Sequence, residues 1–220
     1  MKNKDKFSIK NKIILICGGS GQIGKNLVEF LIRKNSIVIN LDLIDTIKQN
    51  KNYFFLKLNL KDLKEIKKKI SFLKKKFNKI DVLINLAHYK GERKLKPFHN
   101  FFSEFHNYPE KIWRKTIEVN LLSTFILTQE VLKIMLKNRK GTILNFSSTY
   151  GVVSPNYNIY GNSGINSPIG YATTKSAIIN FTKYIATHYG KKNIRANCIS
   201  PGGVENKKQS KRFVREYKRL

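Results

Sequence analysis

Six short segments rich in apolar and β-branched residues recur along the chain: Ile13-Ile14-Leu15-Ile16-Cys17, Ile37-Val38-Ile39-Asn40-Leu41-Asp42, Phe54 to Leu58, Ile80-Asp81-Val82-Leu83-Ile84-Asn85, Thr142 to Phe146 and Arg195 to Ile199. The first is a continuous apolar run, the mark of a strand buried on both faces. Between the six, apolar residues return at three- and four-residue spacing, the period of a helix with one buried face. Leu27, Val28, Leu31 and Ile32 form one such stripe. Leu63, Ile66, Ile70, Leu73 and Phe77 form another within Lys61 to Lys79. Trp113 to Lys137 carries a third, and Ala177, Ile178, Phe181, Tyr184, Ile185 and His188 a fourth that follows Tyr171. Residues 89–111 are polar, aromatic and punctuated by Pro97 and Pro109, which predicts a loop with short helical pieces. Residues 149–170, rich in Asn, Gly, Pro and Tyr, predict a long connection. Strand and helix in alternation predict an α/β fold, one doubly wound parallel sheet spanning residues 1–220. Right-handed crossovers would bring the C-terminal ends of the strands, and the loops that follow them, to one edge. Neither an internal repeat nor a linker marks a second domain.

Composition changes this picture little. The chain has 220 residues, 41% of them hydrophobic, enough to bury one substantial core. Its longest apolar runs fall far short of a membrane span, and the basic start, Met1 to Lys12, is not followed by a signal-peptide core. A cytoplasmic location is the expectation. The net charge of +29, from 43 basic and 14 acidic residues, raises nucleic-acid binding as a function. The basic residues are spread along the chain, however, and Lys, Ile and Asn are abundant together, as A/T-rich coding would produce. The densest run, Lys61 to Lys79, reads as the solvated face of an amphipathic helix. No zinc finger, RNP signature or basic zipper is present. Specific nucleic-acid recognition is therefore not expected, only salt-sensitive, non-specific attraction. Cys17 and Cys198 sit in strand-like contexts and suggest neither disulfide nor metal. His88, His99, His106 and His188 show no ligand spacing, so no metal site is assigned.

Three stretches carry chemistry. Gly18-Gly19-Ser20-Gly21-Gln22-Ile23-Gly24 follows the first strand at once and opens the first helix. Glycines let the backbone turn tightly and approach a pyrophosphate, whose charge the helix N–H groups and dipole then receive. Asp42 ends the second strand, where an acid hydrogen-bonds an adenosine ribose. A carboxylate there repels a 2′-phosphate, which favours NAD(H) over NADP(H). In Tyr171-Ala172-Thr173-Thr174-Lys175 a phenol and an ammonium lie one helical turn apart. A lysine beside a phenol lowers its pKa, and a tyrosine so tuned exchanges protons near neutral pH.

Taken in order, these stretches resemble the short-chain dehydrogenase/reductase family, a Rossmann fold, across residues 12 to 204. Cys17 to Gly24 resembles its T-G-x-x-x-G-I-G turn, with Cys17 for the threonine and Gln22 for the middle glycine. Asn85-Leu86-Ala87-His88 resembles N-N-A-G, with two of four positions changed. Asn120 in Val119-Asn120-Leu121 matches the family's helix asparagine. Ser148 closes Asn145-Phe146-Ser147-Ser148, Tyr171 and Lys175 match Y-x-x-x-K, and Pro201-Gly202 matches the loop that closes on nicotinamide. The resemblance implies that Tyr171 is the general acid or base, that Lys175 lowers its pKa and holds the nicotinamide ribose, that Ser148 holds the substrate oxygen, and that Asn120 orders a water in a proton relay. It implies cofactor contacts from Gly18, Ser20, Gly21, Gln22, Ile23 and Gly24 in the turn, and from Asp42, Asn59 and Leu60 after the next strands. Asn85, Ala87, Lys175, Pro201, Gly202 and Val204 complete that set. It also implies a homodimer or homotetramer, with the Trp113 and Tyr171 helices as its interface. On the residues alone blander roles stay open: Asp42 as a turn residue, Ser148 as a strand end, Asn120 satisfying buried backbone, Lys175 solvated.

Departures from the family pattern sharpen the expectation. Gly18, Gly21 and Gly24 make G-x-x-G-x-x-G, also seen in the longer branch of sugar-nucleotide epimerases and dehydratases. Ser148 and Tyr171 are 23 residues apart, longer than the family's usual spacing. The insertion carries Tyr157, Tyr160, Asn156, Asn158 and Asn162, groups that suit a sugar. With the run Lys192 to Val204, it resembles the bacterial flagellin-modification subgroup, whose members act in surface-glycan sugar pathways. The expected substrate is then a carbonyl or alcohol of a sugar derivative, such as a sugar phosphate or nucleotide sugar. After Pro201-Gly202 comes only a basic, helix-compatible stretch, Lys207 to Leu220, and no seventh strand, so the sheet is expected to lack its last strand. An epimerase or dehydratase using bound NAD, and a truncated, inactive nucleotide-binding protein, remain alternatives.

Overall fold

A computed structural model describes residues 7–89, 91, 101–161, 166–205, 209 and 211–219. Pro97, His99 and Asn162 lie outside the described residues. The six strands are β1 (Ile13–Cys17), β2 (Ile37–Asp42), β3 (Tyr53–Lys57), β4 (Val82–Asn85), β5 (Gly141–Phe146) and β6 (Ile194–Ile199). They form one sheet in the order β3-β2-β1-β4-β5-β6, every pair parallel. The order reverses beside β1, which creates the switch point where open α/β sheets bind ligands. The doubly wound sheet expected from the pattern is thus present, with boundaries shifted by a residue or two.

The helices are α1 (Gln22–Arg33), α2 (Leu63–Phe77), α3 (Glu110–Ile117), α4 (Ser123–Lys137), α5 (Ile169–Tyr189) and α6 (Lys211–Tyr217). Alternation along β1 divides the core. Ile13, Leu15 and Cys17 join Ile66, Ile70 and Leu73 of α2, Leu127 and Val131 of α4 and Ile185 of α5. Ile14 and Ile16 turn to the other face and join Val28 and Leu31 of α1. Local signals set the ends of α2: the Asp62 side chain accepts from the Glu65 N–H at 2.8 Å, and Asn78 stops the helix in the left-handed region at φ 54°. Leu15 is fully buried at the centre of this core. Leu15→Ala is expected to cost about 2–5 kcal/mol, read as a lower urea midpoint at unchanged slope.

The Trp113 to Lys137 pattern is not one uniform helix. A π-helical turn, Glu118–Leu122, separates α3 from α4. The extra residue in the turn rotates Val119 onto the wall of the central cleft and leaves Asn120 buried behind it. By length and composition alone Glu110–Lys137 passes for a membrane-crossing helix. In the fold, Leu127, Val131, Leu132, Ile134 and Met135 along it are buried core residues.

Candidate active site

A cleft of about 900 Å³ opens along the C-terminal edge of the sheet. Its nucleotide-facing half is built on the turn after β1. Gly18 has φ 93°, and a Cβ there would lie 2.5 Å from the backbone nitrogen of Ala87. A Cβ on Gly24 would run into the Gly18 carbonyl oxygen, so this glycine lets α1 sit against the turn. Gly21 caps α1 with no side-chain hydrogen bond, leaving the helix's first N–H groups to face the cleft. Buried Asn40 of β2 supports the turn from below. It accepts from the Gly19 N–H at 3.0 Å and donates to the Ser20 hydroxyl at 3.0 Å and the Tyr53 hydroxyl at 3.1 Å. At the end of β2 the Asp42 carboxylate accepts from the N–H groups of Ser20, at 2.9 Å, and Leu43, at 2.7 Å. Burial, with the Asp42 carboxylate nearby, pushes the Cys17 thiol up to about 12, so it stays a thiol in the strand. This cradle has the shape, the exposed N–H groups and the terminal acid that a dinucleotide requires.

The other half gathers three polar side chains from two elements. Ser148 follows β5, and its oxygen accepts from the Tyr150 N–H at 3.2 Å. Pro168 starts α5, which places Tyr171 in the first turn and Lys175 one turn on. The Ser148 hydroxyl stands beside the Tyr171 phenol and favours its ionised form. The Lys175 ammonium donates to the Phe146 carbonyl at 2.6 Å and lies 5.7 Å from the centre of the Tyr171 ring. Burial lowers the Lys175 pKa to about 8. Burial also raises the Tyr171 phenol above its ordinary value; the Ser148 hydroxyl draws it back, while Tyr150 and Tyr217 push it up again. The Lys175 ammonium spends one of its three N–H groups on a backbone carbonyl.

Aromatic rings close this half. A 3₁₀ turn in the insertion, Tyr157–Tyr160, packs against α6: the rings of Tyr160 and Phe213 are 5.6 Å apart. The Tyr160 hydroxyl donates to that of Tyr150 at 3.4 Å. Tyr217 accepts from the Gly203 N–H at 2.7 Å, which ties α6 to the loop after β6. That loop is held from the opposite side as well, where the Gln22 amide donates to the Glu205 carbonyl at 3.0 Å. The stretch read as a basic tail therefore forms part of the cleft wall. His88, where the family turn ends in glycine, places its ring 5.4 Å from that of Tyr171.

Most of the residues singled out in the sequence line this one cleft: Gly18, Ser20, Gly21, Gln22, Ile23, Asp42, Asn59, Leu60 and Ala87, then Ser148, Tyr171, Lys175, Pro201, Gly202 and Val204. Three stand behind its wall. Gly24 packs beneath the turn. Asn85 donates to Thr128 of α4 at 3.0 Å and to Asn145 of β5 at 2.8 Å, stitching strand to helix. Asn120 accepts from the Tyr89 N–H at 2.7 Å and donates to Thr174 at 3.0 Å, so its amide joins the turn after β4 to α5. Wall residues that sequence reasoning missed include His88, Tyr150, Phe213 and Tyr217. The spacing of Phe213 and Tyr217, one turn apart, was the available signal. Among the described residues no group of three or more His, Cys, Asp or Glu could hold a metal.

The family model for short chain dehydrogenases matches residues 12–216. The chain belongs to that family. It is 30% identical to the 3-oxoacyl-[acyl-carrier-protein] reductase FabG of Buchnera aphidicola, over 97% of this chain and 82% of the relative. It is 27% identical to an NAD-dependent glycerol dehydrogenase of Listeria innocua, over 89% of this chain and 71% of the relative. Its fold matches a short chain dehydrogenase from Leptospira borgpetersenii with bound NAD+, at 35% identity and a TM-score of 0.85, over 96% of this chain and 78% of that one. This short chain dehydrogenase is thus an oxidoreductase whose relatives include NAD-dependent and NAD-bound members.

Proposed function

We propose that this dehydrogenase interconverts a carbonyl and a hydroxyl group on a sugar derivative, using NAD(H) in preference to NADP(H). The observation that carries the reading is that Ser148, Tyr171 and Lys175 line the same cleft as the glycine turn and Asp42. The dinucleotide, when bound, supplies or accepts the hydride. The N–H groups at the start of α1 hold its phosphates, Asp42 its adenosine ribose, and Pro201, Gly202 and Val204 its nicotinamide end. Ser148 holds the substrate oxygen. Tyr171 gives that oxygen a proton in reduction and takes it in oxidation. Lys175, released from the Phe146 carbonyl, serves the nicotinamide ribose. Asn120 is a positioning residue that fixes the turn carrying His88 and Tyr89 against α5.

Two further features support finer parts of the reading. Tyr160 of the insertion lines the cleft, which supports the surface-glycan sugar branch that the insertion resembles, whereas Tyr157 lies outside the cleft. Leu122 just before α4, Phe125 in its first turn and Tyr184 on α5 are exposed, and the Phe125 ring lies tilted 6.2 Å from that of Phe181, which suits these helices to a homodimer or homotetramer interface. The test is a titration of the purified chain with NADH and NADPH by nicotinamide fluorescence, followed by a substrate screen. Saturable binding of NADH but not NADPH, with turnover of hydroxylated substrates, is expected. Turnover of a lipid ketone but of no sugar derivative would remove the sugar assignment.

A further inference from the structure

The loop after β6 lines the cleft from Pro201 to Val204, and Glu205 follows. Contacts from separate elements hold this strap along its length. At its start Thr149, in the turn after β5, donates its N–H at 3.0 Å and its hydroxyl at 3.1 Å to the Pro201 carbonyl. In its middle the Gly203 N–H donates to the Tyr217 hydroxyl of α6 at 2.7 Å. At its far end the Glu205 carbonyl accepts from the Gln22 amide at 3.0 Å, across 183 positions of sequence. The Lys218 ammonium also lies 3.2 Å from the Glu205 carboxylate, but both side chains are well exposed, and such a pair holds weakly.

Of these anchors, Gln22 is the one that stands on the nucleotide half. It is the first residue of α1, where the helix N–H groups face the cleft. Thr149 and Tyr217 hold the strap from the substrate half, so the Gln22–Glu205 bond closes it across the cleft. The bond is made by a side chain that the family's turn does not carry, since glycine stands at this position there and has nothing with which to reach the strap. The helix start itself does not need that side chain: the Gln22 carbonyl is met by the Asn26 amide at 3.1 Å, a contact any residue at position 22 keeps.

We propose that Gln22 is a positioning residue that latches the strap over the bound dinucleotide, so that breaking the Gln22–Glu205 bond is a step in cofactor release. This rests on the NAD(H) reading above. With phosphates at the start of α1 and nicotinamide against Pro201, Gly202 and Val204, the dinucleotide runs beneath the latch. It leaves only after the strap has swung away. A ligand that ends at the pyrophosphate does not reach the strap and leaves without that step. A latch therefore slows the whole dinucleotide and spares its adenine half. A side chain that held the phosphates directly would slow both alike.

The experiment measures dissociation rates by stopped-flow nicotinamide fluorescence in wild type, Gln22→Met and Gln22→Gly. The NADH complex is chased with excess ADP, and the ADP complex with excess NADH. Methionine keeps the length of the side chain and removes the donor; glycine restores the family's residue. NADH should leave both variants about three- to tenfold faster than wild type, the worth of one hydrogen bond. ADP should leave Gln22→Met at the wild-type rate. An unchanged NADH rate in Gln22→Met overturns the proposal. So does an equal acceleration of ADP and NADH, which would place the amide on the phosphates instead. Binding of NADH by wild type separates the two readings: without it the NAD(H) reading fails and the latch falls with it, whereas normal binding with an unchanged rate in Gln22→Met removes the latch alone.

Discussion

Tyr171→Phe is expected to lower kcat by about a thousandfold, within the usual range for removing a positioned acid or base, while NADH still binds and the fold persists. The substitution deletes one oxygen and keeps the ring. Packing against His88 and the start of α5 should therefore survive. What goes is the proton donor beside Ser148. The pH dependence separates this from a general loss of order. Burial raises the phenol above its ordinary value, so at neutral pH it is protonated and ready to act as an acid in carbonyl reduction. Oxidation of an alcohol needs the phenolate, so the wild-type oxidation rate should climb with pH on the alkaline side. The residual activity of Tyr171→Phe should not follow that climb. Steady-state rates in both directions across the pH range, with NADH binding at each pH, give the comparison. Retention of wild-type kcat would remove Tyr171 from the chemistry.

Periodicity made the sheet and its helices legible because each strand is a short run of core residues and each helix has one buried stripe. The turn residues Gly18 and Gly24 were legible for a different reason: no other residue fits where a Cβ would strike backbone. The ends of the catalytic pattern were less so. Asn85 and Asn120 keep the family's residue types, yet their amides are spent on Thr128, Asn145, Tyr89 and Thr174 behind the wall. Only the fold shows which way such a side chain turns, since a π-helical turn of one extra residue moves Asn120 off the cleft and Val119 onto it. A spacing of four residues brings Lys175 near Tyr171 but does not say that the Phe146 carbonyl accepts one of its N–H groups.

The aromatic wall was only partly legible because it is long-range. Tyr160 stands out in the insertion and Tyr217 follows Phe213 at helical spacing, but the insertion meets α6 only once both fold over the sheet edge. The same packing gives the loop after β6 two anchors, Gln22 on the cofactor side and Tyr217 on the substrate side. Gln22, a departure from the family's glycine, thereby joins the phosphate turn to the loop expected over the nicotinamide.

Asp42→Asn should raise the affinity for NADPH relative to NADH by roughly tenfold to a hundredfold. The carboxylate stands at the end of β2 on the cleft wall, held by the N–H groups of Ser20 and Leu43. Two like charges about 4 Å apart repel by about 4 kcal/mol at the effective dielectric of a protein surface, which sets the upper bound. The realised gain is smaller, because the residues that follow are Leu43 and Ile44 and neither offers a 2′-phosphate a cation. The amide keeps one oxygen to accept from the turn, so it removes the charge with little change in shape. Asp42→Ala removes both acceptors and leaves the Ser20 N–H unpaired, at a cost of about 1–3 kcal/mol that should weaken both cofactors together. Parallel titrations of the two variants with NADH and NADPH therefore separate charge from architecture. A changed ratio in Asp42→Asn assigns cofactor choice to the carboxylate's charge. An unchanged ratio, with both cofactors weakened only in Asp42→Ala, would make Asp42 a brace for the glycine turn and move the selection of NAD to other residues of the cleft.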